Sequence, residues 1–205
     1  GVGGAKALAE GVAVSVSLTS INLKYNNFGD EGWCAIFDTL RDNPQNKIKE
    51  WDLYGQGINP TIAKSLAAYV AVTGSLTNLD LRGNDIKGDA AEQLAAAVLE
   101  SKSMEEFGKI PMKALRANEV TELILRFKDL GPAEARVIGS LLTVNGSLTS
   151  LDLEGNKIAS WDALAPIAKR AKRERELAAL GVLLDELLVG LLTAGGDVVV
   201  QTGQE

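Results

Sequence analysis

Three aspartates, Asp52, Asp80 and Asp152, hold the same place in copies of one short pattern, and two positions further on stand Tyr54, Arg82 and Glu154. Carboxylates recurring at a fixed spacing are the raw material of acid–base catalysis or of a hard-cation site. Neither chemistry is completed here. Lys24 and Arg82 share the neighbourhood of Asp52 and Asp80, no third acidic ligand is fixed by spacing, and the sequence has no histidine, which is the usual general base near neutral pH and the commonest zinc ligand. No phosphate-binding loop, nucleophile elbow or dinucleotide fingerprint appears, and the GxxG pieces fall in turns and helix starts, where glycine serves backbone geometry. No catalytic residue, metal ligand or cofactor is therefore assigned, and the polar residues are read as contacts for another macromolecule.

The elements that must position them repeat. The stretch Thr73 to Ile86, TGSLTNLDLRGNDI, returns as NGSLTSLDLEGNKI from Asn145 to Ile158. Alignment on the leading apolar residue gives six strand-like segments, starting at Leu18, Ile48, Leu76, Met104, Val120 and Leu148, most of them about 28 residues apart. In Leu76-x-x-Leu79-x-Leu81, Leu79 and Leu81 point to one face of a short strand and Asn78, Asp80 and Arg82 to the other. Behind each strand, the positions five, eight and twelve residues past Phe28, Ile58, Ile86 and Leu130 carry an apolar helical stripe: Trp33, Ala63, Ala91 and Ala135; Ile36, Leu66, Leu94 and Ile138; Leu40, Val70, Val98 and Leu142. The position six residues on holds Lys64, Glu92 and Arg136, a solvated outer face, and Cys34 at that same position is expected to be a partly exposed thiol.

This LxxLxLxxNxL pattern, with a helical second half in each unit, resembles the leucine-rich repeat of the ribonuclease-inhibitor type, found also in nucleotide-sensing receptors and the GTPase-activating protein of Ran. The resemblance covers roughly residues 4 to 165. It implies an α/β fold: a right-handed solenoid, or horseshoe arc, with parallel β-strands on the concave face, α-helices on the convex face and a C-terminal helical cap. It also implies a role for Asn26, Asn84 and Asn156, which share the position where the strand ends; in the family that amide bonds the backbone of the adjoining turn. Gln56 and Lys128 depart from the rule, so the asparagine ladder is expected to be imperfect there.

Two stretches break the period. The Met104 unit, residues 104–119, is too short for a full strand, turn and helix, and Pro111 interrupts it; its IPMKALR resembles short units in leucine-rich repeat proteins of unicellular algae and other protists. After Ile158 the helical register changes, with Pro166 at the eight-on position and a charged run from Lys169 to Glu176 read as a solvated face. Residues 177–192, LAALGVLLDELLVGLL, are read as a cap helix on a Leu177, Leu180, Leu184, Leu187 and Leu191 stripe, or else as a degenerate repeat. The expected organisation is thus a helical half-repeat at 1–17, repeats at 18–165, a cap helix or degenerate repeat at 166–192 and a tail at 193–205 that forms an edge strand or stays mobile. The chain begins in mid-repeat, as a fragment or a protein continuing N-terminally would.

Composition sets the remaining bounds. The 205 residues are 46% hydrophobic, with a formal net charge of −6, which excludes a general nucleic-acid binder needing clustered Lys and Arg against phosphate. The single cysteine excludes an internal disulfide and, with no signal peptide, points to an intracellular, cytoplasmic setting. No stretch is long and apolar enough to span a membrane. Stacking sets the outward residues in rows, Asn22, Asp52, Asp80, Ile124, Asp152 beside Lys24, Tyr54, Arg82, Arg126, Glu154, with Tyr25 and Phe127 as further aromatic anchors. The function expected is a non-enzymatic scaffold binding a protein partner on the concave face. The alternatives are a regulator of an enzyme, inhibitor or GTPase-activator-like, and a structural subunit of a larger assembly held through its ends and its apolar C-terminal stretch.

Overall fold

Every strand pairing between repeats joins residues one period apart, and this fixes the register of the sheets. The computed structural model describes residues 1–158 and 199–201. The chain divides into two compact units, Gly1–Gly108 and Lys109–Glu205. In the first, helix α1 (Val2–Ala13) precedes α2 (Gly29–Asp42), β1 (Glu50–Asp52), α3 (Pro60–Val72), β2 (Asn78–Asp80), α4 (Gly88–Glu100) and β3 (Glu106–Phe107). The three strands form a parallel sheet in the order β1-β2-β3, with Trp51 opposite Leu79 and Leu79 opposite Phe107. In the second unit, α5 (Met112–Arg116), β4 (Glu122–Ile124), α6 (Pro132–Leu142) and β5 (Ser150–Asp152) follow, with β4 and β5 parallel and Leu123 opposite Leu151.

The helices start where their sequences can satisfy the first free N–H groups. Asn59 caps α3, its Oδ1 accepting from the N–H of Thr61 at 3.0 Å and Ile62 at 3.1 Å, with Pro60 preset for the first turn. Gly131 and Pro132 open α6, and the Glu134 carboxylate turns back to accept from the Gly131 N–H at 3.0 Å. The inner stripes are buried: Trp33, Ala63, Ala91 and Ala135; Ile36, Leu66, Leu94 and Ile138; Leu40, Val70 and Val98. At the end of α6 the stripe slips by one, so that Leu141 is buried and Leu142 only half-buried. On the outer face Lys64 and Glu92 are exposed, and Arg136 and Cys34 are half-buried.

The core of the first unit begins with a run of rings supplied by α2. Phe28 meets Trp33 edge-on at 5.1 Å, Trp33 stacks on Phe37 at 5.7 Å, and Phe37 touches both Trp51 at 5.7 Å and Tyr69 at 6.4 Å. One side chain of α2 thus packs against the next strand and the next helix together, which is how neighbouring repeats become one cooperative body.

Three expectations are corrected. The Leu18 segment forms a single parallel bridge, Ser20 with Glu50, in place of a strand. The Met104 unit keeps a two-residue strand and a five-residue helix, and Pro111 sits at the N-cap of that helix, where its missing N–H costs nothing, so it starts the element it was expected to interrupt. In the tail, β6 (Val199–Gln201) pairs antiparallel with β5, Leu151 opposite Val200, so the strands are not all parallel. The cap helix or degenerate repeat expected at 166–192 lies outside the described residues. Among the described residues no helix is long and apolar enough to cross a membrane.

Candidate protein-interaction surface

The Leu18 segment and strands β1, β2 and β5 end in the same local device. The side-chain oxygen of the residue at the row position accepts from the backbone N–H two residues on: Asn22 from Lys24 at 3.0 Å, Asp52 from Tyr54 at 3.3 Å, Asp80 from Arg82 at 3.2 Å and Asp152 from Glu154 at 3.1 Å. Asparagine and aspartate are the residues that fold a chain end over in this way. The row expected to meet a partner therefore also shapes the exit of the strand, a role hidden until the backbone is placed.

In the first unit β1 and β2 set Asp52 beside Asp80. Lys24 donates to the Asp52 carboxylate, and that hydrogen bond holds the lysine pKa above its ordinary value. Arg82 grips Asp80 with two prongs, Nε to Oδ1 at 2.9 Å and Nη2 to Oδ2 at 2.7 Å, and its guanidinium lies 5.5 Å from the centre of the Tyr54 ring. Each carboxylate already has a cation bound to it. In the second unit Arg126 bonds Asp152, Nε to Oδ2 at 2.7 Å, and Glu154 at 2.9 Å, while Ile124, opposite Asp152, is 56% exposed. Among the described residues no group of His, Cys, Asp or Glu is arranged to hold a metal ion.

The asparagines stand where strand becomes turn. Asn84 donates to the carbonyls of Leu53 at 2.8 Å and Leu81 at 2.7 Å, and its Oδ1 accepts from the Ile58 N–H at 2.9 Å, joining two repeats. Asn156 does the same with Leu125, Leu153 and Leu130. Asn26 donates only within its own repeat, to Leu23 and Lys24. Gln56, expected to leave a gap, reaches across instead: its Oε1 accepts from the Tyr25 N–H at 3.2 Å and its Nε2 donates to the Tyr54 carbonyl at 3.1 Å.

Residue type alone marks Tyr25 and Phe127 as anchors, and the backbone shows what else sets them apart. Tyr25, Gly55, Gly83, Phe127 and Gly155 are equivalent, and all five have left-handed backbone, with φ of 61°, 60°, 72°, 52° and 67°. Glycine adopts this conformation without strain, whereas an aromatic residue there is an outlier. The Tyr25 side chain is nonetheless 97% exposed and that of Phe127 66% exposed. Two aromatics in a glycine column were visible in the sequence, but only the backbone angles show what the substitution costs.

A family model described as Leucine Rich repeat matches residues 14–36, 75–95 and 144–160. These stretches carry leucine-rich repeats similar to those of ribonuclease-inhibitor-like proteins, and a leucine-rich repeat domain is a protein-interaction module. Among curated proteins, RAN GTPase-activating protein 2 of Arabidopsis thaliana is 25% identical over 78% of this chain, and NACHT, LRR and PYD domains-containing protein 14 of Mus musculus is 25% identical over 74% of it. The chain spans only 26% and 14% of those two proteins. Among solved structures, Leiomodin-1 Actin-Binding Site 2 aligns with a TM-score of 0.49 and 17% identity, covering 88% of this chain and 95% of that one. The tropomodulin C-terminal domain of Caenorhabditis elegans aligns with a TM-score of 0.46 and 18% identity, covering 87% and 96%.

Proposed function

We propose that this chain is a non-enzymatic scaffold that binds a protein partner on its strand faces, with Tyr25 in the first unit and Phe127 in the second as the aromatic anchors. The observation that carries the reading is the glycine column. Holding a non-glycine residue in the left-handed region costs about 1–3 kcal/mol, and leaving a large ring in water forgoes its burial. Tyr25 carries both costs. Rigid aromatics at the centre of a polar surface are the usual hot spots of protein recognition, and the ion-paired residues around them, Lys24 with Asp52 and Arg126 with Asp152, provide the polar rim.

The test exchanges each anchor for the residue its column prefers. Tyr25→Gly and Phe127→Gly are expected to keep or raise thermal stability while losing the proteins captured by the wild-type chain. Unchanged capture by the double variant overturns the reading. Charge is probed with Asp52→Asn and Asp152→Asn, which remove the carboxylate but keep the oxygen that accepts from the backbone two residues on. Reversal to lysine would break that bond and confuse folding with binding.

A further inference from the structure

One dipeptide of the second unit carries chemistry that its neighbours in the fold hold in check. Asn145-Gly146 is the chain's one Asn-Gly pair. The backbone nitrogen that follows an asparagine can attack the side-chain carbonyl carbon and close a five-membered ring, and glycine, with no Cβ, hinders that attack least. In the folded protein both reacting groups are occupied. The Gly146 N–H donates to Asn118 Oδ1 at 2.8 Å. Asn145 is 3% exposed, its Nδ2 donates to the Leu115 carbonyl at 2.8 Å, and its Oδ1 accepts from the N–H groups of Ser147 at 3.1 Å and Leu148 at 2.8 Å.

The echo of this stretch fills the same corner without the reactive amide. There Thr73 takes the place of Asn145 ahead of the same Gly-Ser-Leu, is buried too, and sets its hydroxyl 3.2 Å from Ser75 Oγ. A hydroxyl has no amide to lose. Asn118, which latches Gly146, stands just past α5 with a left-handed φ of 58°, a conformation asparagine tolerates better than most residues. The shortened Met104 unit thus ends in a side chain that holds the turn between α6 and β5.

We infer that Asn145 is a deamidation site that reacts only when the turn between α6 and β5 comes away from Leu115 and Asn118. Once those bonds open, a base removes the Gly146 proton and the Gly146 nitrogen bonds to Asn145 Cγ. The Cγ–Nδ2 bond then breaks, and the departing nitrogen takes up protons and leaves as ammonia. Water opens the resulting succinimide at either carbonyl, giving aspartate or isoaspartate, with no oxidation or reduction. Neither product fits the closed corner. A carboxylate has no N–H for the Leu115 carbonyl and sets its charge against that oxygen in a buried place. Isoaspartate also lengthens the backbone by a methylene shortly before β5, whose register against β4 depends on spacing. The reaction turns a reversible opening into a lasting one, and the strand it loosens carries Asp152, the partner of Arg126.

The test incubates the full chain in mildly alkaline buffer with and without guanidinium chloride and follows conversion of the Asn145 amide to acid by peptide mass mapping. The folded chain is expected to react at least about tenfold more slowly than the unfolded one, because the rate follows the population of the open form. Asn118→Gly keeps the left-handed backbone but frees the Gly146 N–H, and should raise the rate of the folded chain about fivefold. Asn118→Asp keeps an accepting oxygen and should leave the rate at the wild-type value. These variants are compared at denaturant concentrations where they are equally folded, so that a general loss of stability does not imitate loss of the latch. Asn145→Asp, one of the products, should lower the denaturant midpoint, and Asn145→Thr, the residue of the echo, serves as the unreactive control. Equal rates for the folded and unfolded wild-type chain overturn the inference. So does an Asn118→Gly rate equal to that of wild type, and so does an Asn145→Asp chain as stable as wild type.

Discussion

The ring of Phe127 lies against the backbone of Gly155, its equivalent in the following repeat: a Cβ added to that glycine would stand 2.2 Å from the Phe127 Cδ1. The Gly155 φ is +67°, so an alanine there is strained before it meets the ring. Gly155→Ala is expected to destabilise the protein by about 1–2 kcal/mol and to turn the Phe127 ring outward. Urea unfolding measures the first effect, and loss of partner capture by the folded variant measures the second.

Asn84 and Asn26 occupy one alignment column but make different bonds: Asn84 joins Leu53 and Ile58 of the preceding repeat, while among the described residues Asn26 bonds Leu23 and Lys24 of its own. Removing Asn84 takes a donor from the Leu81 carbonyl and an acceptor from the Ile58 N–H, and leaves the Leu53 carbonyl with the Gln56 N–H alone. Asn84→Ala is expected to cost about 2–4 kcal/mol and Asn26→Ala about 1 kcal/mol. Equal losses in parallel denaturant titrations would contradict the inter-repeat role.

Phe37 is fully buried and joins α2 to both Trp51 and Tyr69. Phe37→Ala is expected to cost about 3–5 kcal/mol, because rigid rings on three sides cannot collapse into the cavity. A loss below about 1 kcal/mol in thermal or urea unfolding would show that the ring chain does not couple the repeats.

Tyr69 is buried with its hydroxyl donating to Asn46, and burial pushes its pKa above the ordinary value, opposed in part by its hydrogen bonds. The folded state therefore keeps the proton to higher pH than the unfolded chain. Its contribution is fully present below the unfolded pKa near 10 and is lost as pH rises through the folded value. Lys24, raised by its bond to Asp52, acts in the same direction. Stability should fall on the alkaline side of pH 10, with a slope of up to about 1.4 kcal/mol per pH unit from Tyr69 and a smaller, salt-screened part from Lys24. Tyr69→Phe should be less stable at pH 7 yet show a shallower alkaline limb, measured as urea midpoints across the pH range.

Periodicity carried the fold far because register in a stacked sheet follows from spacing. Once Ile48 and Leu76 are aligned, Asp52 must face Asp80 and Trp51 must face Leu79, as they do. What the alignment did not show depended on single residues acting outside their column's habit. Gln56 is one methylene longer than asparagine and spans the gap to the Tyr25 N–H. Pro111 breaks a helix from within but starts one from the N-cap, and which applies is decided by a boundary that pattern alone does not place. The aspartate row looked like a charged surface in one dimension, and its bond to the backbone two residues on appears only when the strand bends.

The chain of rings beginning at Phe28 has an optical consequence. Of the three tryptophans, Trp33 and Trp51 belong to this cluster, are 3% and 2% exposed and lie in the first unit, while Trp161 lies outside the described residues. A Trp161→Phe protein would emit from the first unit alone. Its blue-shifted fluorescence would then mark the opening of that unit, and comparison with a probe of the whole chain would show whether the two units melt together or in succession.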